Sequence, residues 1–181
     1  MTATETLIHE HEIISLVLDA AEREVQSQRS TGRLNANKVE QMLDFFRNFA
    51  DTCHHMKEEK QLFVRMAERG VPFQGGPLGV MMTEHELGRH FLRETAAAIP
   101  LARSGNGAAL KMIADNLGEY VELLRAHIHK ENEILFPMAD RILSPDDRAD
   151  LAREFERIEA EEIGKGVHEK YHRLAHELTA P

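Results

Sequence analysis

Apolar residues recur along most of the chain at steps of three and four, which is the period of an amphipathic helix. Stretches that alternate with the two-residue period of a strand are nearly absent. Segments with glycine, proline and small polar residues at 30–37, 69–77 and 100–107 interrupt the pattern. The pattern predicts four long helices, with apolar stripes that run from Leu7 to Val25, from Leu43 to Leu62, from Leu78 to Ile99 and from Ile113 to Met138.

The C-terminal part of the chain carries its own helix signals. Ser144 followed by Pro145 is typical of an N-cap and a first helical residue. Gly164-Lys165-Gly166 is expected to end this fifth helix before a short last one. Long helices with short connections pack as an up-down-up-down bundle. We therefore expect an all-α protein, with a four-helix bundle over residues 1–143 and a C-terminal helical extension over 144–181 that packs on it.

Histidine and glutamate interrupt the apolar stripes at matching places. Each stripe holds a histidine, and two stripes hold a glutamate one turn later. An unpartnered polar group on a core face costs several kcal/mol, so these side chains need a common partner. The residues concerned are His11, His54, His85 and His127, with Glu58 and Glu131.

The chain also repeats itself. HEHEI at 9–13 resembles TEHEL at 83–87, and HHMKEEKQLF at 54–63 resembles HIHKENEILF at 127–136. The alignment places His54 on His127 and Glu58 on Glu131. Counting about 1.5 Å per residue from the connecting loops puts the four histidines at similar heights in the bundle. Six side chains are thus expected to converge on one layer.

Four neutral nitrogen ligands and two carboxylates suit a dinuclear metal site better than a single ion. Carboxylates that each bridge two metals supply four oxygens. Mixed imidazole and carboxylate ligation favours iron, while manganese or zinc could substitute. The remaining interpretation of the set, a metal-free interaction bundle, requires six buried polar groups at matched heights by accident.

At this point the residues resemble the hemerythrin-like, or HHE cation-binding, family over essentially the whole chain. Its two central motifs are similar to His54-x-x-x-Glu58 and His127-x-x-x-Glu131, each followed by Leu-Phe. The tail resembles that of a bacterial subgroup with a C-terminal helical extension. The resemblance implies an oxo- or hydroxo-bridged non-haem di-iron centre, in which the four histidines are terminal ligands and the two glutamates are bridges.

The resemblance also implies a function. Members with this ligand set are associated with binding or sensing O₂, NO or iron under oxidative or nitrosative stress. The alternative is a di-iron enzyme that acts on peroxide or NO, or a donor of iron for the repair of iron–sulfur clusters. Whether the chain is an enzyme stays open. The expected partner is a small diatomic ligand or peroxide.

One departure from the family concerns the third helix. O₂ carriers of the family place a second histidine four residues after the third-helix ligand, where this chain has Arg89. His90 lies about 140° further round the helix than His85 and is expected to point elsewhere. The site then has fewer protein nitrogens than a reversible carrier, which favours reactive or sensing chemistry over storage.

Two further pairs have the same His-x-x-x-Glu spacing, shifted in register. They are His55 with Glu59 and His129 with Glu133. The repeat and the Leu-Phe anchors favour the first register, so these glutamates are expected to be solvated or to support the ligands from outside. Glu10 and Glu84, which precede the single histidines, could orient an imidazole in the same way.

The string HEKYH at 168–172 has the H-E-x-x-H form of a zinc protease. Such enzymes need a third ligand downstream and a sheet edge for the substrate, and neither is evident here. Two interpretations of this segment stay open. It is either a solvated amphipathic helix, or a helix that folds back over the bundle so that His168 supplies a seventh metal ligand.

Composition narrows the remaining classes. The 181-residue chain carries a formal net charge of −9, which argues against binding to nucleic acid or to an anionic membrane. Its one cysteine, Cys53, excludes an intramolecular disulfide and is expected to be a small buried hydrophobe. The N-terminus lacks the features of a signal peptide, and the longest uncharged run, 71–83, is too short to span a bilayer. A soluble cytoplasmic protein is therefore expected.

Overall fold

The computed structural model of the chain describes residues 1–164 and 166–179, which form six helices and no strand. The helices are α1 (Ala3–Thr31), α2 (residues 36–68), α3 (Pro77–Arg103), α4 (residues 107–142), α5 (residues 145–163) and α6 (Val167–Thr179). The predicted all-α helical bundle is confirmed.

Local sequence explains where most helices begin and end. Thr2 and Glu5 form a capping box at the start of α1, and Gly32 closes that helix in the left-handed conformation with φ 71°. Asn35 caps α2 through its side chain. The predicted break at residue 100 lies too early, because α3 continues through Pro100 to Arg103. Buried residues on both sides of the proline keep this last turn packed on the bundle.

Helices α2 and α4 change from α-helical to π-helical turns next to the predicted ligands. The π-helical segments are Phe46–His55 and Glu58–Leu62 in α2, and Glu131–Leu135 in α4. A π turn bonds residue i to i+5 and is wider than an α turn, so neighbouring residues diverge less around the axis. Such turns often occur at functional sites.

The first four helices surround a layered interior. Helix α4 packs along α1 and α3, and α2 contacts the same two helices. One large apolar cluster, which includes Val17, Phe46 and Leu117, fills one end of the bundle. A second cluster, built around Phe63 and Phe136, fills the other end. A polar layer lies between these clusters, at the height predicted for the six side chains.

The two C-terminal helices lie against α1 and α2. Ser144 and Asp147 form a capping box at the start of α5. Asp147 also accepts hydrogen bonds from Arg65 at 2.7 Å and from Arg69 at 2.8 Å, which ties α5 to the end of α2. Lys165, in the predicted break before α6, lies outside the described residues.

Two further expectations concern the burial of Cys53 and the presence of a membrane-spanning helix. Cys53 is buried, as expected of a small hydrophobe. Across residues 1–164 and 166–179, no helix combines the length and the apolar character that a membrane crossing requires.

Candidate metal centre

The structure brings six of the seven predicted ligand residues together in the polar layer, each no more than 2% exposed. Together with His55, these residues supply two groups of ligand atoms, and within each group the atoms lie within 4.8 Å of one another. The first group comprises His11, His54, Glu58 and Glu131, and the second comprises His55, Glu58, His85 and His127.

A hydrogen bond on the outer nitrogen fixes the direction of each predicted histidine ligand. The Nδ1 atoms of these rings lie 2.7–2.9 Å from side-chain oxygens. This contact leaves the Nε2 atom of each ring facing the interior, as metal-bound imidazoles require. The pairs are His11 with Asn132, His54 with Glu10, His85 with Glu59, and His127 with Glu84.

Each central carboxylate reaches both groups with a different oxygen. The Oε1 atom of Glu58 lies 3.3 Å from Nε2 of His54, and its Oε2 atom lies 3.5 Å from Nε2 of His85. The Oε2 atom of Glu131 lies 3.3 Å from Nε2 of His11, and its Oε1 atom lies 3.2 Å from Nε2 of His127. Each carboxylate thus connects the histidines of the two groups through its two oxygens.

The donor set fits a metal because its atoms lack hydrogen-bond partners. Both oxygens of Glu58, both oxygens of Glu131, and Nε2 of His11 and His54 are buried without one. Native interiors satisfy nearly all such atoms, so a cluster of six fits the binding of a cation. In the second group, Nε2 of His85 and Nε2 of His127 are 3.0 Å apart. One of these nitrogens donates a hydrogen bond to the other, and a metal held by both imidazoles would take the place of that proton.

His55 is a member of the second group that the repeat alignment set aside. Its ring stacks on that of His85, with centroids 3.8 Å apart and an interplanar angle of 13°. The π-helical turn Phe46–His55 explains why His54 and His55 both point inward. The signal in the sequence was the His-His dipeptide itself. By contrast, His129 and Glu133 are exposed, so α4 offers no equivalent of His55.

Arg89 lies outside the second group and contacts two carboxylates, Asp51 and Glu59, that in turn contact histidines of this group. Its guanidinium donates to Asp51 at 2.9 Å and to Glu59 at 2.7 Å. Glu59 in turn contacts Nδ1 of His85 at 2.7 Å. Burial raises the pKa of Asp51, but hydrogen bonds from His55 and Arg89 outweigh this effect, and the pKa falls to about 2. Arg89 thus replaces the second histidine of O₂ carriers with a cation that holds anions in place.

A small cavity adjoins the second group between α2, α3 and α4. Its volume is about 10 Å³, and Gly88, Tyr120, His85 and His127 are among its lining residues. A cavity of roughly 10–15 Å³ holds one water molecule. The space is therefore about the size of one water molecule.

The metal-free site binds protons where a metal would bind. Burial lowers the pKa of His54, but the carboxylates of Glu58 and Glu10 outweigh it, and the net pKa is about 10. The same balance, with Glu131 as the main anion, raises the pKa of His127 to about 9. Burial opposes ionisation of Glu131, yet His127 and His11 hold its pKa well below the usual value. Metal binding must displace these protons.

His168, the seventh predicted ligand, lies outside both groups. Its Nε2 atom is 3.8 Å from Oε1 of Glu10, so it contacts the carboxylate that supports His54 rather than the central layer. Glu10, Glu159 and His168 form a third cluster of ligand-type atoms within 4.8 Å of one another. The ammonium of Lys57 donates hydrogen bonds to both glutamates of this cluster and offsets one of their two negative charges.

The profile of the hemerythrin HHE cation-binding domain matches residues 2–139 of the chain. The chain belongs to this family. Membership agrees with the ligand-lined layer, because the family is defined by cation binding and the two groups supply imidazole and carboxylate donors. The match ends within α4, so α5 and α6 lie outside the family domain.

The chain is similar to curated proteins of two bacterial genera. An uncharacterised protein of Mycobacterium tuberculosis is 22% identical over 165 residues, covering 91% of this chain and 64% of that protein. The iron-sulfur cluster repair protein YtfE of Yersinia pseudotuberculosis is 31% identical over 94 residues, covering 50% of this chain and 42% of that protein. The YtfE protein of Yersinia pestis is similar at 31% over the same length. The chain thus spans under two thirds of these relatives, and no solved structure matches it significantly.

Proposed function

We propose that the chain holds a non-haem di-iron centre and uses it to bind or sense O₂ or NO under oxidative or nitrosative stress. The observation that carries the proposal is that two glutamates join the two ligand groups: Glu58 belongs to both groups, and the two oxygens of Glu131 contact His11 and His127. A single ion would leave one oxygen of each carboxylate without a partner, whereas two ions use all four.

The chain's own residues would hold and orient the metals. His11 and His54 belong to one position, and His85 and His127 to the other, with the two glutamates between them. Bound iron would supply reversible one-electron chemistry and an open coordination position for a small molecule. Glu10, Asn132, Glu59 and Glu84 keep the rings aimed inward through their Nδ1 contacts.

The cavity beside His85 and His127 supports a small diatomic ligand. Gly88 borders it, and a side chain there would crowd the Tyr120 ring, since an added Cβ would lie 3.3 Å from Cε2 of Tyr120. Leu92, Leu124 and Tyr120 supply the apolar part of its lining. The imidazoles of the second group are therefore the ones that a small gas molecule would meet first.

Donation of iron to damaged iron–sulfur clusters is the second candidate function. The observation that favours it is the similarity to the Yersinia repair proteins, which covers half of this chain. Enzymatic removal of peroxide or NO is a third outcome of the same centre. These functions differ in what happens to the metal and to the small molecule.

Metal analysis after anaerobic loading with ferrous iron tests the centre. We expect about two irons per chain in the wild type and a loss of both in a Glu58→Gln, Glu131→Gln variant. One iron or one zinc per chain would overturn the proposal. With two irons present, oxygenation that reverses under argon without loss of O₂ supports binding or sensing. Transfer of iron to a cluster-free ferredoxin supports donation, and rapid consumption of added NO or peroxide supports an enzyme.

A further inference from the structure

The internal repeat builds the same support twice, once behind each His-x-x-x-Glu motif. Glu10 contacts Nδ1 of His54 and also the ammonium of Lys57, three residues after that histidine. In the other half, Glu84 contacts Nδ1 of His127 and the ammonium of Lys130. Each half thus has a chain of contacts from a lysine, through a glutamate, to a predicted metal ligand.

The two lysines differ in what covers them. The side chain of Lys130 is 35% exposed, so water shares its charge. The side chain of Lys57 is 0% exposed, and helix α5 covers it. There, Lys57 donates to Oε1 of Glu159 at 2.6 Å and lies 5.7 Å from the centre of the Phe155 ring. This second carboxylate comes from outside the family domain.

A buried ammonium needs nearby anions to offset its lost hydration. Glu10 has one negative charge and contacts both Lys57 and His54. Glu159 supplies a second negative charge for the Lys57 ammonium. Without Glu159, the Lys57 ammonium would draw on Glu10 alone, or the side chain would move toward water. Either change would alter the Glu10 contact that aims His54 at the metal position.

We infer that α5 and α6 form a latch on the first metal position, and that Glu159 is its positioning residue. The latch acts through Lys57 and Glu10 on His54, and it slows the release of the metal that His11 and His54 hold. This inference rests on the proposed di-iron centre and adds the device that regulates metal release.

A cavity beside the latch provides a path by which the metal would leave the protein. A cavity of about 250 Å³ lies between α1, α5 and α6, lined by residues that include His9, Glu10, Glu159 and His168. Glu10 is therefore the link between the first metal position and this cavity. If α5 moved away from Lys57, Glu10 and the Nδ1 atom of His54 would become accessible from this cavity.

A chelator-release experiment on the full-length, ferrous-loaded protein tests the latch. Glu159→Gln removes the charge at a half-exposed site, so the variant should fold. We expect one of the two irons to transfer to a chromogenic ferrous chelator about 10–100-fold faster than in wild type, the usual cost of losing such support. The second iron should leave at the wild-type rate. Glu161→Gln, an exposed change on the same helix, is the matched control, and Glu159→Asp should restore slow release.

The outcomes separate the latch from the di-iron centre. Wild-type protein that takes up no iron overturns both proposals. Two irons in wild type, with unchanged release in Glu159→Gln, overturn the latch and leave the centre standing. Equal acceleration of both irons also overturns it, because that result indicates general loosening of the bundle.

Discussion

Removal of the metals should cost the protein a large part of its stability. Six buried atoms of the central layer have no hydrogen-bond partner in the protein itself. An unsatisfied buried polar atom costs roughly 1–3 kcal/mol, so six would cost roughly 6–18 kcal/mol if their imidazole–carboxylate contacts at 3.2–3.5 Å contributed nothing. Protonation of His54 and His127 relieves part of this cost, which favours the lower limit. A whole domain is stable by only about 5–15 kcal/mol.

Thermal unfolding, followed by circular dichroism, measures this effect. A loss of roughly 6 kcal/mol in a chain of this size corresponds to a fall in Tm of about 12–24 °C. We expect this shift between iron-loaded protein and protein stripped with a chelator, at equal pH and salt. Glu131→Gln should lose most of the metal-dependent shift, whereas Glu133→Gln, an exposed change on the same helix, should keep it. Loaded and stripped wild-type protein melting within a few degrees of each other would refute the reasoning.

Three further predictions concern single groups. Folding raises the pKa of His54 from an ordinary 6.5 to about 10, so the protonated imidazole stabilises the metal-free protein. This contribution is complete below pH 6.5 and is lost as pH rises toward 10. Chemical denaturation at several pH values should show this fall in the free energy of unfolding for metal-free protein but not for iron-loaded protein. Arg89→Gln should weaken metal binding about tenfold in a competition titration, because Glu59 loses the cation that holds it against His85. An unchanged metal affinity would show that this ion pair does not support the ligand. Asp147→Asn should lower the Tm, because the amide cannot accept the paired hydrogen bonds from Arg69, and a Tm equal to wild type would count against this anchor of α5.

The bundle and the meeting of six side chains could be predicted because both follow from helical periodicity. A histidine on an apolar stripe has a definite direction, and the loops fix its height along the helix. The pairing of His54 with Glu58 follows from the i,i+4 rule alone. These are local or nearly local properties, and one sequence contains them.

Contacts between distant segments could not be predicted in this way. The π-helical turns that bring His55 inward depend on how α2 packs against its neighbours, and no single-residue preference encodes them. The position of His168 depends on how α5 and α6 fold back. The sequence left open whether His168 is solvated or is a metal ligand, and the structure places it against Glu10. The contact between Lys57 and Glu159 joins residues far apart in the chain, so spacing could not reveal it.

The duplicated half-motif has a consequence for how such a centre could arise. Helices α1 and α2 alone contain one complete half of the central set, namely His11, His54 and Glu58. Two copies of that helical hairpin, related by a two-fold axis, would assemble every element of both groups. A small self-pairing ancestor, later fused into one polypeptide, is thus sufficient to account for the architecture. Fusion would then have freed each half to diverge: one acquired Arg89, and the other came to lie under a C-terminal cover that a symmetric dimer would have had to carry twice.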